Sequence, residues 1–199
     1  MRVHIARYEK PTPTKSDRLV YLFCEGDQRE PNYFNYFKRK YSKLNLYIVP
    51  FPKNGNNSPK GLLQHCLSVI NNPSSDYSSN TDSIWLCLDL DDRNDEIGAV
   101  KKEIATLSTD INIAASNRSF EVWLYYHFFD ASPLDKIENW KSYLDEVIPG
   151  GFDVRKHPEF AEIAVLNAEK NYSENEEMLP NENCTSVFRL VKLILSLSE

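Results

Sequence analysis

Apolar positions along the first two-thirds of the chain follow two alternating periods. Short apolar and aromatic runs bounded by polar turns predict strands at RLVYLFC (Arg18–Cys24), LYIVPFP (Leu46–Pro52), SIWLCLDL (Ser83–Leu90) and INIAASN (Ile111–Asn117). Between them the spacing turns helical. PNYFNYFKRKY (Pro31–Tyr41) predicts a helix with Pro at its first position. PKGLLQHCLSVI places Leu62, Leu63, Cys66, Val69 and Ile70 on one face, with Ser58 as its cap. DEIGAVKKEIATLS and SFEVWLYYHFF supply two more helical segments. Pro50 predicts that the second strand ends early or lies near an edge. The near-continuous apolar character of SIWLCLDL suits a central parallel strand covered on both faces.

Strand and helix alternate four times, which predicts an α/β fold: a mostly parallel sheet flanked by helices, over residues 18–129. From Pro133 onward the signals are all helical, at Leu134–Val147, Pro158–Asn171 and Thr185–Ser198. Residues 130–199 are therefore expected to form a helical extension packed on the core, with the acidic SENEEMLPNENC exposed. Residues 1–17 lack periodicity and form an N-terminal arm in this reading.

Ligands of such sheets bind outside the carboxyl ends of the strands. Glu25 follows the first strand directly, and SIWLCLDLDD ends in Asp89, Leu90, Asp91 and Asp92. Residues two apart on a strand share a face, so Asp89 and Asp91 are expected to aim into one crevice. Converging carboxylates repel unless a cation lies between them or one is protonated. Oxygen-only ligands favour Mg²⁺ or Mn²⁺ over zinc. Three such acids suit metal-assisted phosphoryl chemistry. DLDDRND is also the composition of a solvated turn in which Asn94 or Asp95 caps the next helix.

Composition narrows the class. The 199 residues carry a net charge of −6, which argues against a simple basic nucleic-acid binder. The distribution is uneven: residues 1–60 hold 12 Lys and Arg against 5 Asp and Glu, and residues 61–199 hold 11 against 24. A phosphate-facing side on an acidic protein fits that asymmetry, as does a solvated helix end at Lys38, Arg39, Lys40 and Lys43. There is no bilayer-spanning apolar run and no leader pattern at Met1–Lys15, so the expected location is cytoplasmic, with no membrane partner. None of the four cysteines forms a CxxC pair, which argues against zinc. Phosphate-binding glycine loops and a GxSxG elbow are missing, which removes NTPases, classical dinucleotide enzymes and serine hydrolases.

Five stretches in order, CEGDQREPNYF, DLD, SNRSFEVWLYYHF, NAEKNY and CTSVFRLVKLI, resemble the RloB family, from about Val20 to Ile194. These are small proteins encoded beside restriction–modification and other anti-phage systems. The family in turn resembles the Toprim fold of topoisomerases, primases and related nucleases. The resemblance implies a Toprim-like, Rossmann-like core in which an EG motif supplies an acid/base or metal ligand and DxD binds the divalent metal. Carried onto this chain, Glu25 takes the first role and Asp89 and Asp91 the second. Glu30 matches a second acid in the EGxxxE-like stretch and would complete a second metal site. Arg118 stands where the family usually has proline, and Val122 departs from its FELW stretch.

Other residues complete the candidate set. Glu121 can reach the same crevice, or serve as a first-turn acid paired with the helix dipole. Asn117 and Ser119 are expected to cap that helix, with phosphate or metal-water binding as the alternative for Asn117. Lys53 and Lys60 flank the NGNNSP loop on the rim of Glu25, where they would neutralise substrate phosphate or belong simply to a mobile loop. His65 and His127 are read as packing residues. The expected activity is metal-dependent cleavage of DNA or RNA, with a defence-system protein as a further candidate partner. The competing reading is a non-catalytic Toprim-like module that binds nucleic acid or protein.

Overall fold

The computed structural model describes residues 18–52 and 55–198. The proposed arm and Lys53 lie outside the described residues. Four parallel strands form one sheet in the order β2-β1-β3-β4: β1 (Val20–Cys24), β2 (Leu46–Val49), β3 (Ser83–Asp89) and β4 (Ile111–Ser116). Every residue of β1 is buried, as is Ile84–Leu88 of β3, because both strands are covered on both faces. β2 is an edge strand and stops before Pro50, which has no N–H to donate.

The helices α1 (Arg29–Lys40), α2 (Pro59–Ile70) and α3 (Asn94–Ile104) link the strands. Tyr33, Phe34 and Phe37 of α1 join the core on one face of the sheet. Leu62, Leu63, Cys66 and Ile70 of α2 join that on the other face, with Ile97 and Val100 of α3. The chain moves from β1 outward to β2, then returns past β1 to β3. The carboxyl ends of β1 and β3 thus flank the point where the connections diverge, the place where sheets of this kind bind ligands.

Two predicted helix starts are corrected. Helix α1 begins at Arg29, so Pro31 is its third residue rather than its first. It is tolerated because N–H groups of the first turn have no intrahelical partner. The segment expected to be helical over Leu134–Val147 is helical only at α5 (Trp140–Val147), where Asn139 accepts from the Ser142 N–H as its cap. The short α4 (Glu121–Tyr125) precedes it; α6 (Ala161–Lys170) and α7 (Val187–Leu197) follow. Residues of α4 to α7 share the α1-side core, so the helical segment packs on the sheet through one continuous apolar cluster.

Cys184–Ser186 closes part of the exposed edge of β4. Ser186 Oγ accepts from the Ala115 N–H at 2.9 Å, and the Ser186 N–H donates back to the Ala115 carbonyl at 2.7 Å. The hydroxyls of Ser116 and Thr185 pair at 2.8 Å, and the Asn117 N–H donates to the Cys184 carbonyl at 2.9 Å. Thr185 and Ser186 are buried, so these bonds replace water at the strand edge. Ser186→Ala is expected to strand the Ala115 N–H and cost about 1–3 kcal/mol. Urea unfolding should show that loss as a lower midpoint with an unchanged slope.

Candidate active site at the carboxyl ends of β1 and β3

The β1–β3 pairing sets the site. The Glu25 N–H continues the ladder by donating to the Cys87 carbonyl, and Glu25 Oε2 accepts from the Asp89 N–H at 3.2 Å. Glu25 is thereby clamped across the ends of both central strands. Gly26 follows because there is no room for a side chain: a Cβ there would collide with the Glu30 carboxylate. Glu30, in the first turn of α1, is 7% exposed. The glycine of the EG pair thus lets a second acid fold back over the first strand's tip.

The strand alternation expected for Asp89 and Asp91 stops at Asp89, the last residue of β3. Asp91 takes a left-handed backbone conformation, with φ of 42°, and its side chain is 60% exposed. Its N–H donates to the Arg118 carbonyl at 2.9 Å, which fixes the turn against the end of β4. Neither Asn94 nor Asp95 caps α3: Arg93 holds that position without a side-chain cap.

Arg93 lies among the acids. Its Nη2 is 2.7 Å from Glu25 Oε1, 2.7 Å from the Asp89 carbonyl oxygen and 3.7 Å from Asp91 Oδ2. A second guanidinium, Arg29, pairs with Glu121, the first residue of α4, whose side chain is 12% exposed. Neither arginine was singled out by sequence reasoning. The available signal was position: Arg29 adjoins Glu30, and Arg93 follows DLDD.

The charges interact across one crevice. The Asp89 carboxyl is pushed well above the usual range, first by burial and then by the charges of Glu30, Glu25, Glu121 and Asp91. Glu30 is raised by burial, then by Glu121 and Glu25, against the pull of its own N–H and Arg29. Burial raises Glu25 too, outweighing the hydrogen bonds from Arg93 and the Asp89 N–H. Sequence-predicted Glu25, Glu30, Asp89, Asp91 and Glu121 therefore share one electrostatic field.

The remaining candidates are placed differently. Asn117 does not cap α4; Phe120 is at the cap position, and the Asn117 amide donates to the Pro180 carbonyl at 3.0 Å, tying β4 to the C-terminal segment. Lys60 is exposed in the first turn of α2, behind the Ser58 cap, whose Oγ accepts from the Gly61 N–H. His65 packs its ring edge-on against Phe23 and Phe51. His127 is buried against Tyr33 and Trp123, and burial lowers its pKa to about 3. The four cysteines are buried and unpaired.

Among the described residues, no three His, Cys, Asp or Glu side chains stand close enough to hold a metal ion as they are arranged. The donor chemistry still fits a hard divalent cation. The acids gathered there offer oxygen only, and Arg29 and Arg93 pair with Glu121 and Glu25 among them.

The protein is thus an α/β chain that gathers acids where the connections of its central strands diverge. The chain belongs to the RloB-like protein family, whose model matches residues 20–194. No curated protein and no solved structure matches it.

The raised carboxyl of Asp89 implies a signed pH effect. Its folded-state pKa exceeds its unfolded value, so the folded chain binds the proton more tightly. That stabilisation is complete below the ordinary aspartate range, ~3.9, and is lost as pH rises through the raised value. Asp89→Asn is expected to raise the melting temperature at pH 7 by roughly 2–4 °C for each kcal/mol of repulsion relieved. The difference from the native chain should vanish on acidification, measured by thermal denaturation from pH 4 to 8.

Proposed function

We propose that this protein is a divalent-metal-dependent nuclease of the RloB/Toprim type, using Mg²⁺ or Mn²⁺ and acting in anti-phage defence. The observation that carries the reading is the convergence of Glu25, Glu30, Asp89, Asp91 and Glu121 on the crevice between β1 and β3. Acids packed together at the cost of mutual repulsion serve no packing purpose. Family membership supports the same assignment.

In this reading Glu25, Asp89 and Asp91 hold the metal, and Glu30 with Glu121 borders it. When bound, a divalent cation lowers the pKa of water and steadies charge on phosphate oxygens. The fixed position of Glu25, held by the Asp89 N–H, orients one ligand oxygen in advance. Burial, with Glu121 and Glu25 beside it, raises the Glu30 carboxyl above the ordinary range, the direction that suits a proton donor to a leaving oxygen. Lys60, in the first turn of α2, with Lys53 seven residues earlier in the sequence, provides positive charge for the nucleic-acid backbone. A cytoplasmic location belongs to this reading; no helix among the described residues is long and apolar enough to cross a membrane.

A second reading has its own observation. Arg93 and Arg29 already pair with Glu25 and Glu121, as in a module that binds nucleic acid or a defence partner without cutting. Cleavage assays separate the two. Mixed DNA and RNA substrates incubated with Mg²⁺, Mn²⁺ or Ca²⁺ should be cut with the first two. Asp91→Asn should reduce cutting by at least about a hundredfold, the usual scale for one lost electrostatic contact, with affinity kept or improved. Replacing Lys53 and Lys60 by Ala should weaken binding and flatten its salt dependence. Absence of cleavage with every metal, with a partner protein binding native and Asp91→Asn chains equally, would select the second reading.

A further inference from the structure

We propose that Arg93 is a tethered counter-ion that moves from the acids of the site to a substrate phosphodiester when a divalent cation binds. The proposal rests on the nuclease reading and adds a residue and an order of events to it. Three contacts carry it: Arg93 Nη2 to Glu25 Oε1 at 2.7 Å, to the Asp89 carbonyl at 2.7 Å and to Asp91 Oδ2 at 3.7 Å. One guanidinium nitrogen thus spans the two residues that flank the turn and the acid clamped across the strands. A cation taking the oxygens of Glu25 and Asp91 has to take them from Arg93.

Once a doubly charged ion occupies the acids, repulsion drives Arg93 outward, and it must find another anion. Its side chain is 24% exposed, so the outward path ends at solvent beside the crevice rather than in the core. Arg93 precedes α3 directly, and its backbone carbonyl accepts from the Ile97 N–H, so the side chain moves on a fixed stem. A planar fork of donors a few ångströms from the acids matches the two non-bridging oxygens of a phosphodiester. A carboxylate ligand would meet the same fork, but beside the like charge of Asp91.

The exchange makes two binding events cooperative. The metal raises affinity for the phosphodiester by releasing Arg93, and by linkage the phosphodiester raises affinity for the metal. Without the metal, Arg93 is held by Glu25 and the Asp89 carbonyl and is withheld from nucleic acid, so the resting site neither cuts nor holds substrate strongly.

The test uses the full chain, Mn²⁺ alone in a thermal-shift titration, and a fluorescent mixed-sequence oligonucleotide, as DNA and as RNA, in anisotropy with and without Ca²⁺. Arg93→Gln removes the competitor, so its Mn²⁺ midpoint should fall about tenfold below that of the native chain, the factor for one lost competing ion pair of ~1.4 kcal/mol. In Ca²⁺ the same variant should bind oligonucleotide about tenfold more weakly, with a salt slope lower by about 1. Arg93→Lys keeps the charge without the fork; its Mn²⁺ midpoint should stay within about twofold of native while oligonucleotide affinity drops. If Arg93→Gln does not fold, Arg93→Lys decides alone by that split. A Mn²⁺ midpoint in Arg93→Gln equal to or above the native value, or an oligonucleotide affinity in Ca²⁺ unchanged in either variant, overturns the exchange. If the native chain binds and cuts while either result appears, only the role of Arg93 falls. If neither native nor variant binds Mn²⁺, the exchange and the nuclease reading fall together.

Discussion

Carboxylate repulsion at the tips of β1 and β3 is the constraint on which the rest of the structure depends. Asp89 is raised by burial and by four other acids, and Arg93 and Arg29 pair with two of those acids. A buried acid cluster of this kind is unstable without compensation. The fold meets the need with a rigid frame: two fully covered central strands, a glycine that lets Glu30 approach, and a turn at Asp91 fixed to the Arg118 carbonyl.

The frame also explains the division of labour between the two faces. The face covered by α2 and α3 is largely aliphatic; Lys60 lies in the first turn of α2, and the DLDD turn leads into α3. The face covered by α1 and α4–α7 is rich in aromatic rings, centred on Tyr33, Phe120, Trp123 and His127. It holds the first turns of α1 and α4 in place. Glu30 and Glu121, one from each of those turns, reach the crevice because that aromatic cluster locks α1 against α4.

Much of this was legible in the sequence. The four strands, their parallel order and the central place of SIWLCLDL follow from apolar runs separated by helical spacing, since parallel strands need a crossover each time. The strand-tip position of Glu25 and Asp89 was equally readable. What was not readable came from long-range contacts. The period of a strand says nothing about where the strand stops, so Asp91 was expected to share the face of Asp89 and instead enters a left-handed turn. Asn117 was read locally as a cap, yet its amide is used by Pro180, 63 residues away. Arg93 and Arg29 were overlooked because a cation beside an acid looks like an ordinary surface residue until the fold shows which acid it faces.

The Cys184–Ser186 segment bears on how this chain can be divided. Its hydroxyl and backbone groups act as a partial fifth strand, and Thr185 and Ser186 reach β4 only after α5 and α6 have been laid down. A piece of the protein ending near residue 129 would present an open strand edge beside an aromatic surface stripped of its cover, the combination that drives chains to pair with one another. The site at the strand tips and the last helices of the chain are therefore parts of one inheritable unit. Rearrangements that shuffle the acids into a new protein must carry the C-terminal latch with them.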